Sequence, residues 1–338
     1  MTSSYRKKKS HGAKCVGVSD QMVSLLNGDR LPATKLVTRQ HGHQLIRNTG
    51  GLHSETGNEA VCAAGTPERR HAGSPESMCD STLDYLCGRG LIRRTDAAEV
   101  IWSHAVNSRS RLQEALSGPS HMLEADVILR GRDPREPVMA HPPDTDSDVT
   151  LREFLQAVKP HGKGVKLDFK SLEPVSPSMA LLDELLDEAS APLWVNADVL
   201  PGPAGQATPL DAQAFLRAVS SLPPHAVLSL GWTTGWTAGA ENPGYSWDMV
   251  HVMEQTCRDL RHPVTFPVRA ALLASSFPQL CWLLQQSDRF SLTVWTGSQD
   301  QVSVQDLLPY RKQFHASRVF YDLPEPLRVQ LSSVSAHG

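Results

Sequence analysis

The segment MLEADVIL (residues 122–129) decides the fold prediction. It is apolar except for Glu124 and Asp126, and its eight residues are typical of a strand that is buried on both faces. Because side chains alternate along a strand, two carboxylates that are two residues apart lie on the same face. The segment therefore predicts a buried strand with an acidic pair on one side.

Seven other strand-like runs alternate with helical patterns on both sides of this segment. Strict alternation of strand and helix favours a parallel sheet, and eight such units predict a closed (β/α)8 TIM-type barrel. The runner-up is an open doubly wound sheet. The absence of a GxGxxG pattern after the first strand argues against it. The other runs are EVIWSHA (99–105), GVKLDFK (164–170), PLWVNADVL (192–200), AVLSLGW (226–232), PVTFPVRA (263–270), SLTVWTG (291–297) and RVFYDL (318–323).

The helical patterns lie between these runs, and one further strand-like piece, PVMAHP (137–142), is expected to pair with the run at 122–129. The pattern SMCDSTLDYLCGRGLI near residue 77 predicts a short helix ahead of the first strand. The remaining helices are predicted near 108–117, 150–158, 179–190, 210–220, 247–260, 272–286 and 303–314.

Composition divides the chain into two parts. Residues 1–75 carry 11 Lys and Arg against 5 Asp and Glu and show weak periodicity, which predicts a disordered basic extension before a barrel domain at 76–332. A net charge of −3 argues against a nucleic-acid partner. No apolar run approaches the roughly 20 residues of a membrane span, and the N-terminus lacks a signal-peptide pattern, so we predict a cytoplasmic protein.

Charged residues lie at the ends of the predicted strands, where the active-site mouth of such a barrel opens. Carboxylates that are buried together are costly unless they pair with positive charge. We therefore predict a divalent cation, Mg²⁺ or Ca²⁺, bound by Glu124, Asp126 and Asp168. The alternative is a set of ion pairs without metal, because Lys166 and Lys170 lie on the same predicted strand face as Asp168.

Two histidines, His104 and His141, end strand-like segments near this acidic set. Histidines that face each other across the ion would serve as general acid and general base, although a histidine in a strand is also often only a core residue. Lys170, with Lys166 as a second candidate, would neutralise an anionic substrate group. Together these groups would suit in-line displacement at a phosphodiester.

The other polar and aromatic residues at strand ends leave alternatives open. Asn196 and Asp198 either contact the substrate or cap a loop. Trp232 and Trp295 either form a pocket wall or pack in the core. Asp322, which precedes Leu-Pro, is interpreted as a turn residue.

Several motifs in the same order resemble those of the menorin family, and less closely those of the glycerophosphodiester phosphodiesterase and spider-toxin phospholipase D group. The resemblance spans about 80–330 and implies a phosphodiesterase-like barrel. It also implies acid/base roles for His104 and His141, metal binding by the three carboxylates, phosphate contact by Lys170 and a pocket-lining role for Trp295. The motifs are IWSHAVNS, MLEADV, AHPP, KLDFK, WVNADV, LGWTTG, VTFPVRA and VWTG.

One departure weakens the phosphate assignment. The phosphodiesterase group has Arg-Gly after its first histidine, whereas Ala105 and Val106 follow His104 here, with Arg109 and Arg130 nearby. We therefore predict a metal-dependent phosphodiester hydrolase or transferase acting on a small glycerophosphodiester-like or lysophospholipid-like substrate. The alternative is a non-enzymatic menorin-like interaction protein with a protein partner, and a third hypothesis is another hydrolase on the same barrel.

Overall fold

The structure is a computed structural model that describes residues 81–186 and 191–335. All of the described residues belong to one compact unit. The predicted extension at 1–75 and the predicted domain boundary at residue 76 lie outside them. Within the described residues, no helix is both long enough and apolar enough to cross a bilayer.

Eight parallel strands form the sheet, and hydrogen-bonded pairs join each strand to the next in a nearly closed barrel. The short β3 pairs antiparallel with β2, as the sequence predicts for PVMAHP. The predicted TIM-type barrel is thus confirmed. The strands are β1 (Trp102–Ser103), β2 (Met122–Leu129), β3 (Pro137–Met139), β4 (Gly164–Phe169), β5 (Leu193–Pro201), β6 (Val227–Thr233), β7 (Val264–Arg269), β8 (Phe290–Trp295) and β9 (Val319–Asp322).

The helices lie between the strands, close to the predicted positions. Side-chain caps define several helix starts. Before α3, for example, Thr150 and Glu153 form a reciprocal capping box. The sequence analysis missed the last helix. The helices are α1 (Ser81–Gly88), α2 (Arg109–Ser117), α3 (Leu151–Val158), α4 (Val175–Leu185), α5 (Ala212–Ala218), α6 (Trp247–Cys257), α7 (Leu273–Gln285), α8 (Val304–Gln313) and α9 (Glu325–Ser335).

Alternation along the strands separates an apolar layer from a polar interior. On β2, Leu123, Ala125 and Val127 belong to the main hydrophobic core, whereas Glu124 and Asp126 line a cavity. The same division holds on the neighbouring strands. Hydrophobic burial against the helices therefore leaves the other strand face available for polar side chains at the mouth.

A second apolar cluster fills the opposite end of the barrel. Trp194 packs edge-on against Trp102 and Phe320, and its indole N–H donates to the Thr82 hydroxyl of α1 at 3.0 Å. Leu83 and Leu86 of α1 belong to the same cluster and are fully buried. The helix at the start of the described residues thus covers the bottom of the barrel.

A buried ion pair connects the segment before the first strand with the helix before the last strand. Arg311 of α8 donates to both carboxylate oxygens of Asp96, at 2.7 and 2.9 Å. Burial raises the pKa of Asp96, but hydrogen bonds from Arg311 and from the Ala98 amide more than offset that effect and hold the pKa below its ordinary value.

We predict that Arg311→Met destabilises the fold by about 3 kcal/mol or more, because it leaves the Asp96 carboxylate buried without its partner. Urea unfolding measures the change. Arg152→Met, which breaks an exposed pair with Glu184, is the matched control and should change stability little. Because the folded-state pKa of Asp96 is lowered, the pair's contribution should be present near neutral pH and be lost as the pH falls through that lowered pKa. Equal losses in the two variants would contradict the prediction.

Candidate active site at the barrel mouth

A cavity of about 370 Å³ opens at the carboxyl ends of the strands. This is the end at which the loops of a (β/α)8 barrel build active sites. Nine of the ten predicted site residues line it, and Trp232 is the exception. The cavity is lined by His104, Ala105, Asn107, Glu124, Asp126, His141, Lys166, Asp168, Lys170, Asn196, Asp198, Pro267 and Trp295.

Three carboxylates converge in this cavity. Glu124, Asp126 and Asp168 each offer an oxygen, and these oxygens lie within 4.8 Å of one another. Asp126 of β2 and Asp168 of β4 are register partners, which explains their proximity. Burial raises the pKa of Glu124, and the neighbouring Asp126 and Asp168 carboxylates raise it further, against the opposing effect of His104 and Lys166.

Neutral N–H donors hold the two carboxylates of β2. The Ala105 amide donates to Glu124 Oε2 at 2.8 Å, and Asn107 Nδ2 donates to Asp126 Oδ2 at 2.6 Å. Asn107 Oδ1 also accepts from the Asp126 amide at 2.9 Å. Ala105 has φ +52°, a left-handed conformation that is uncommon for a residue with a side chain, and such strain is concentrated at functional sites.

Asp168 is held in the same way from the next strand. Asn196 Nδ2 donates to Asp168 Oδ1 at 2.7 Å, and the Ser229 hydroxyl donates to Asn196 Oδ1 at 2.5 Å. These residues are register partners on β4, β5 and β6. Asn196 therefore orients a carboxylate, while its predicted substrate contact stays a prediction.

Lys166 of β4 and Lys170, which directly follows β4, differ in their contacts. Lys170 Nζ lies 2.8 Å from Asp126 Oδ1 and 2.5 Å from Asp168 Oδ2, and these carboxylates raise its pKa although burial lowers it. Lys166 is 5% exposed and lines the cavity, and its ammonium group has no hydrogen bond or ion pair among the described residues. Lys166 is thus the more available cation for a substrate anion.

His104 is oriented by the last strand of the barrel. Its Nδ1 lies 2.8 Å from Asp322 Oδ2 and 3.2 Å from Glu124 Oε2. Burial lowers the pKa of His104, but the Glu124 and Asp322 carboxylates outweigh that effect and raise it to about 9. Asp322, interpreted from the sequence as a turn residue, in fact anchors a predicted catalytic histidine.

His141 lies beyond β3, and its Nδ1 is 2.5 Å from the Pro142 carbonyl oxygen. A carbonyl only accepts hydrogen bonds, so this contact places the ring hydrogen on Nδ1. The backbone also ties this loop to the acidic strand, because the Ala140 amide donates to the Asp126 carbonyl at 3.0 Å. Both predicted histidines therefore line the same cavity as the carboxylates.

The two predicted tryptophans occupy different environments. Trp295 lines the cavity, and the Arg269 guanidinium lies 5.3 Å from its ring centroid and 5.6 Å from that of Trp236. Trp232 is only 2% exposed and packs against Tyr245 in the helix-facing core. Trp232 follows Gly231, which is in register with the cavity-lining Asp198, so its side chain points to the opposite face of the sheet. This position gives no support to the predicted substrate contact.

The two arginines near His104 in the sequence do not replace a missing phosphate-binding arginine. Arg109 donates to Glu153 and to the Asp148 carbonyl. Arg130 pairs with Asp146 and Glu136. Neither arginine lines the cavity.

The donor set fits a hard divalent cation. Each of the three carboxylates has one oxygen held by an N–H donor, and such supporting hydrogen bonds typically orient metal ligands. Asp126 and Asp168 direct their other oxygens toward the Lys170 ammonium group, so positive charge is already accommodated at this point. Oxygen donors of this kind suit Mg²⁺ or Ca²⁺.

The fold and the site define a (β/α)8 barrel protein with an acidic mouth. The family model described as the Menorin N-terminal domain matches residues 96–328. The chain is 50% identical over 257 residues to Protein FAM151B from Homo sapiens, and the match covers 75% of this chain and 93% of that protein. The chain therefore belongs to the menorin family, as the motifs predict.

Sequence reasoning missed two orienting residues, Asn107 and Asp322. Asn107 lies in the segment IWSHAVNS, directly after the two residues that stand in place of Arg-Gly. Asp322 is in register with Trp295 at the end of the last strand, the position that carries the site residues of the other strands. That shared position was the available signal.

We predict that Asp322→Asn lowers the pKa of His104 below about 9 in the metal-free protein, because one of two carboxylates beside the ring is neutralised. An NMR titration of the imidazole resonances in the presence of a chelator measures this pKa. Asp248→Asn, an exposed substitution in the first turn of α6, should leave it unchanged. An unaltered His104 pKa in the Asp322 variant would show that Asp322 does not interact with the ring in solution.

Proposed function

We propose that this protein is a metal-dependent phosphodiester hydrolase or transferase. The observation that carries the proposal is the convergence of three oriented carboxylates, two histidines and two lysines on one cavity at the barrel mouth. A site that binds metal only for structural reasons has no need of proton-transfer groups or of a second, unpaired cation. The combination is instead what phosphoryl transfer needs, since it requires charge neutralisation together with proton transfer at two oxygens.

Glu124, Asp126 and Asp168 would hold a Mg²⁺ or Ca²⁺ ion. Such an ion supplies Lewis-acid polarisation of phosphoryl oxygens. Lys170 would offset part of the negative charge of the two aspartates through its contacts with both of them. Asn107 and Asn196 would fix the rotamers of these aspartates. The aspartate side chains would then lose little conformational freedom when the ion binds.

The histidines would exchange protons with the substrate through their Nε2 atoms. Each Nδ1 faces an acceptor, the Asp322 carboxylate for His104 and the Pro142 carbonyl for His141. This arrangement keeps hydrogen on Nδ1 and leaves Nε2 for the reaction. One ring would accept the proton of the attacking hydroxyl group, and the other would protonate the leaving oxygen.

Lys166 would bind the anionic phosphoryl group. It lies in register with Glu124, lines the cavity and has no side-chain partner in the part of the chain that the structure describes. Lys170, assigned to phosphate by the resemblance, already contacts two carboxylates. The cavity of about 370 Å³ suits the polar part of a glycerophosphodiester or a lysophospholipid.

A second candidate function is a non-enzymatic interaction protein that keeps the barrel and the metal site. The observation in its favour is the absence of Arg-Gly after His104, combined with the engagement of Arg109 and Arg130 outside the cavity. Turnover separates the two candidates, since only an enzyme requires His104 for product formation.

We predict that Mg²⁺ or Ca²⁺ raises the melting temperature of the wild-type protein and that Glu124→Gln abolishes the increase, because one of three anionic ligands is lost. Differential scanning fluorimetry with and without a chelator measures the shift. Glu184→Gln, on the outer surface of α4, should respond to the ion like the wild type. No ion-dependent shift in the wild type, or a full shift in the Glu124 variant, would contradict the assignment of the metal site.

We predict that the protein hydrolyses or transfers at least one member of a panel of glycerophosphodiesters and lysophospholipids, and that His104→Ala lowers kcat about 10²-fold or more. His161→Ala, which removes a histidine from the short turn after α3, should leave kcat unchanged. Turnover that persists in the His104 variant would count against the mechanism. Ion binding without turnover of any substrate would favour the interaction protein.

A further inference from the structure

Asp198 is the one carboxylate of the central cavity to which the structure gives no side-chain partner among the described residues. Glu124, Asp126 and Asp168 are each held by N–H donors. The Asp198 side chain has no hydrogen bond and no ion pair, although it is partly buried and lines the cavity. Its carboxylate oxygens are therefore available to accept a hydrogen bond from a ligand in the cavity.

The neighbouring strand leaves space for this carboxylate. Asp198 of β5 is in register with Gly231 of β6, and a Cβ atom at residue 231 would lie 2.3 Å from Asp198 Oδ1. Any larger residue at 231 would therefore displace the carboxylate. The register also shifts between Asp198 and Leu200, and such irregularities commonly redirect side chains beside active sites.

Asp198 is not a fourth ligand of the metal set. The group of carboxylate oxygens within 4.8 Å of one another contains Glu124, Asp126 and Asp168 but not Asp198. Burial raises the pKa of Asp198 to about 7, and the nearby Asp168 adds to this increase, while Lys170 and Lys166 oppose it. The position thus lies beside the charged centre and faces the same cavity.

The surroundings favour a neutral hydrogen-bond donor over a cationic ligand group. With a divalent cation bound by Glu124, Asp126 and Asp168, as the proposed function requires, the ion and the two lysines of the cavity would repel a substrate ammonium group. The aromatic wall offers no vacant cation site of its own, because the Arg269 guanidinium lies against both Trp236 and Trp295 and is fixed by Asp300. A hydroxyl group, in contrast, donates to a carboxylate without adding charge.

We propose that Asp198 is a specificity-determining residue that accepts a hydrogen bond from a hydroxyl group on the alcohol portion of the substrate. The inference rests on the proposed function, since it assigns the phosphoryl group to the metal side of the cavity. It restricts the substrate class to phosphodiesters of hydroxylated, polyol-type alcohols. Trimethylammonium head groups that carry no hydroxyl are thereby disfavoured.

Isothermal titration calorimetry with two simple phosphate esters tests this assignment. Glycerol phosphate and propyl phosphate have the same phosphate group and carbon skeleton length and differ in the hydroxyl groups. With saturating Mg²⁺, the wild-type protein should bind glycerol phosphate about 10-fold or more tightly than propyl phosphate. Asp198→Ala should reduce this ratio to about 2 or less. Removing a negative charge affects both phosphates, so the ratio between them isolates the hydroxyl contact.

Gly231→Ala provides an independent variant, because its methyl group displaces the Asp198 carboxylate while every titratable group is retained. It should lower the ratio in the same way. The melting temperature of each variant verifies that it is folded. If Asp198→Ala does not fold, Asp198→Asn, which has nearly the same shape as the wild-type side chain, replaces it. Asp198→Asn retains one acceptor oxygen and should give an intermediate ratio.

The readout separates this inference from the proposed function. His104→Ala should abolish turnover but leave the binding ratio intact, because the contacts of the His104 ring are with Glu124 and Asp322 and not with Asp198. A wild-type ratio near 1, a ratio that survives Asp198→Ala, or no binding of either phosphate would overturn the role of Asp198. Loss of the proposed function alone would appear as an absence of turnover with the ratio preserved.

Discussion

Electrostatic repulsion among three carboxylates is the constraint on which the whole mouth of this barrel depends. Glu124, Asp126 and Asp168 present oxygens within 4.8 Å of one another in a largely buried setting. Like charges at this distance are unfavourable unless positive charge lies among them. Lys170 supplies part of that charge through two ion pairs, and a divalent cation would supply more.

The barrel provides the geometry that makes this arrangement possible. Hydrophobic burial of alternate residues against the helices fixes the register of each strand, and the register brings Asp126, Asp168 and Asn196 side by side. The last strand then orients His104 through Asp322, across the seam next to the first strand. The contact between His104, which follows the first strand, and Asp322 of the last strand therefore also positions a proposed proton-transfer group.

Much of the fold is encoded locally and was predictable. The eight residues of 122–129, six of them apolar, form β2 with the predicted bounds, and alternation along that strand placed Glu124 and Asp126 on the same face. The environment of Trp232 was harder to predict, because it depends on which face of β6 meets the helices. Ser229 and Gly231 are in register with Asn196 and Asp198 and share their face of the sheet, which leaves Trp232 in the core.

Partners that are distant in the sequence could not be derived from local patterns. The contact of His104 with Asp322 spans 218 residues, and the strand-end position of Asp322 indicates a site residue but not which side chain it contacts. Lys166 lies on β4 and Lys170 directly follows that strand, yet only Lys170 contacts the carboxylates of Asp126 and Asp168. Such distinctions depend on tertiary geometry. The alternation of side chains along a strand and the order of the motifs can instead be read from the sequence.

The central claim is that the three carboxylates form a cation site in which Lys170 supplies the neighbouring charge. Anomalous diffraction from a crystal soaked in Mn²⁺ tests it most directly. We expect a single strong peak within about 2.6 Å of an oxygen from each of Glu124, Asp126 and Asp168. A map without a peak at this position, with the Lys170 ammonium still between Asp126 and Asp168, would contradict it.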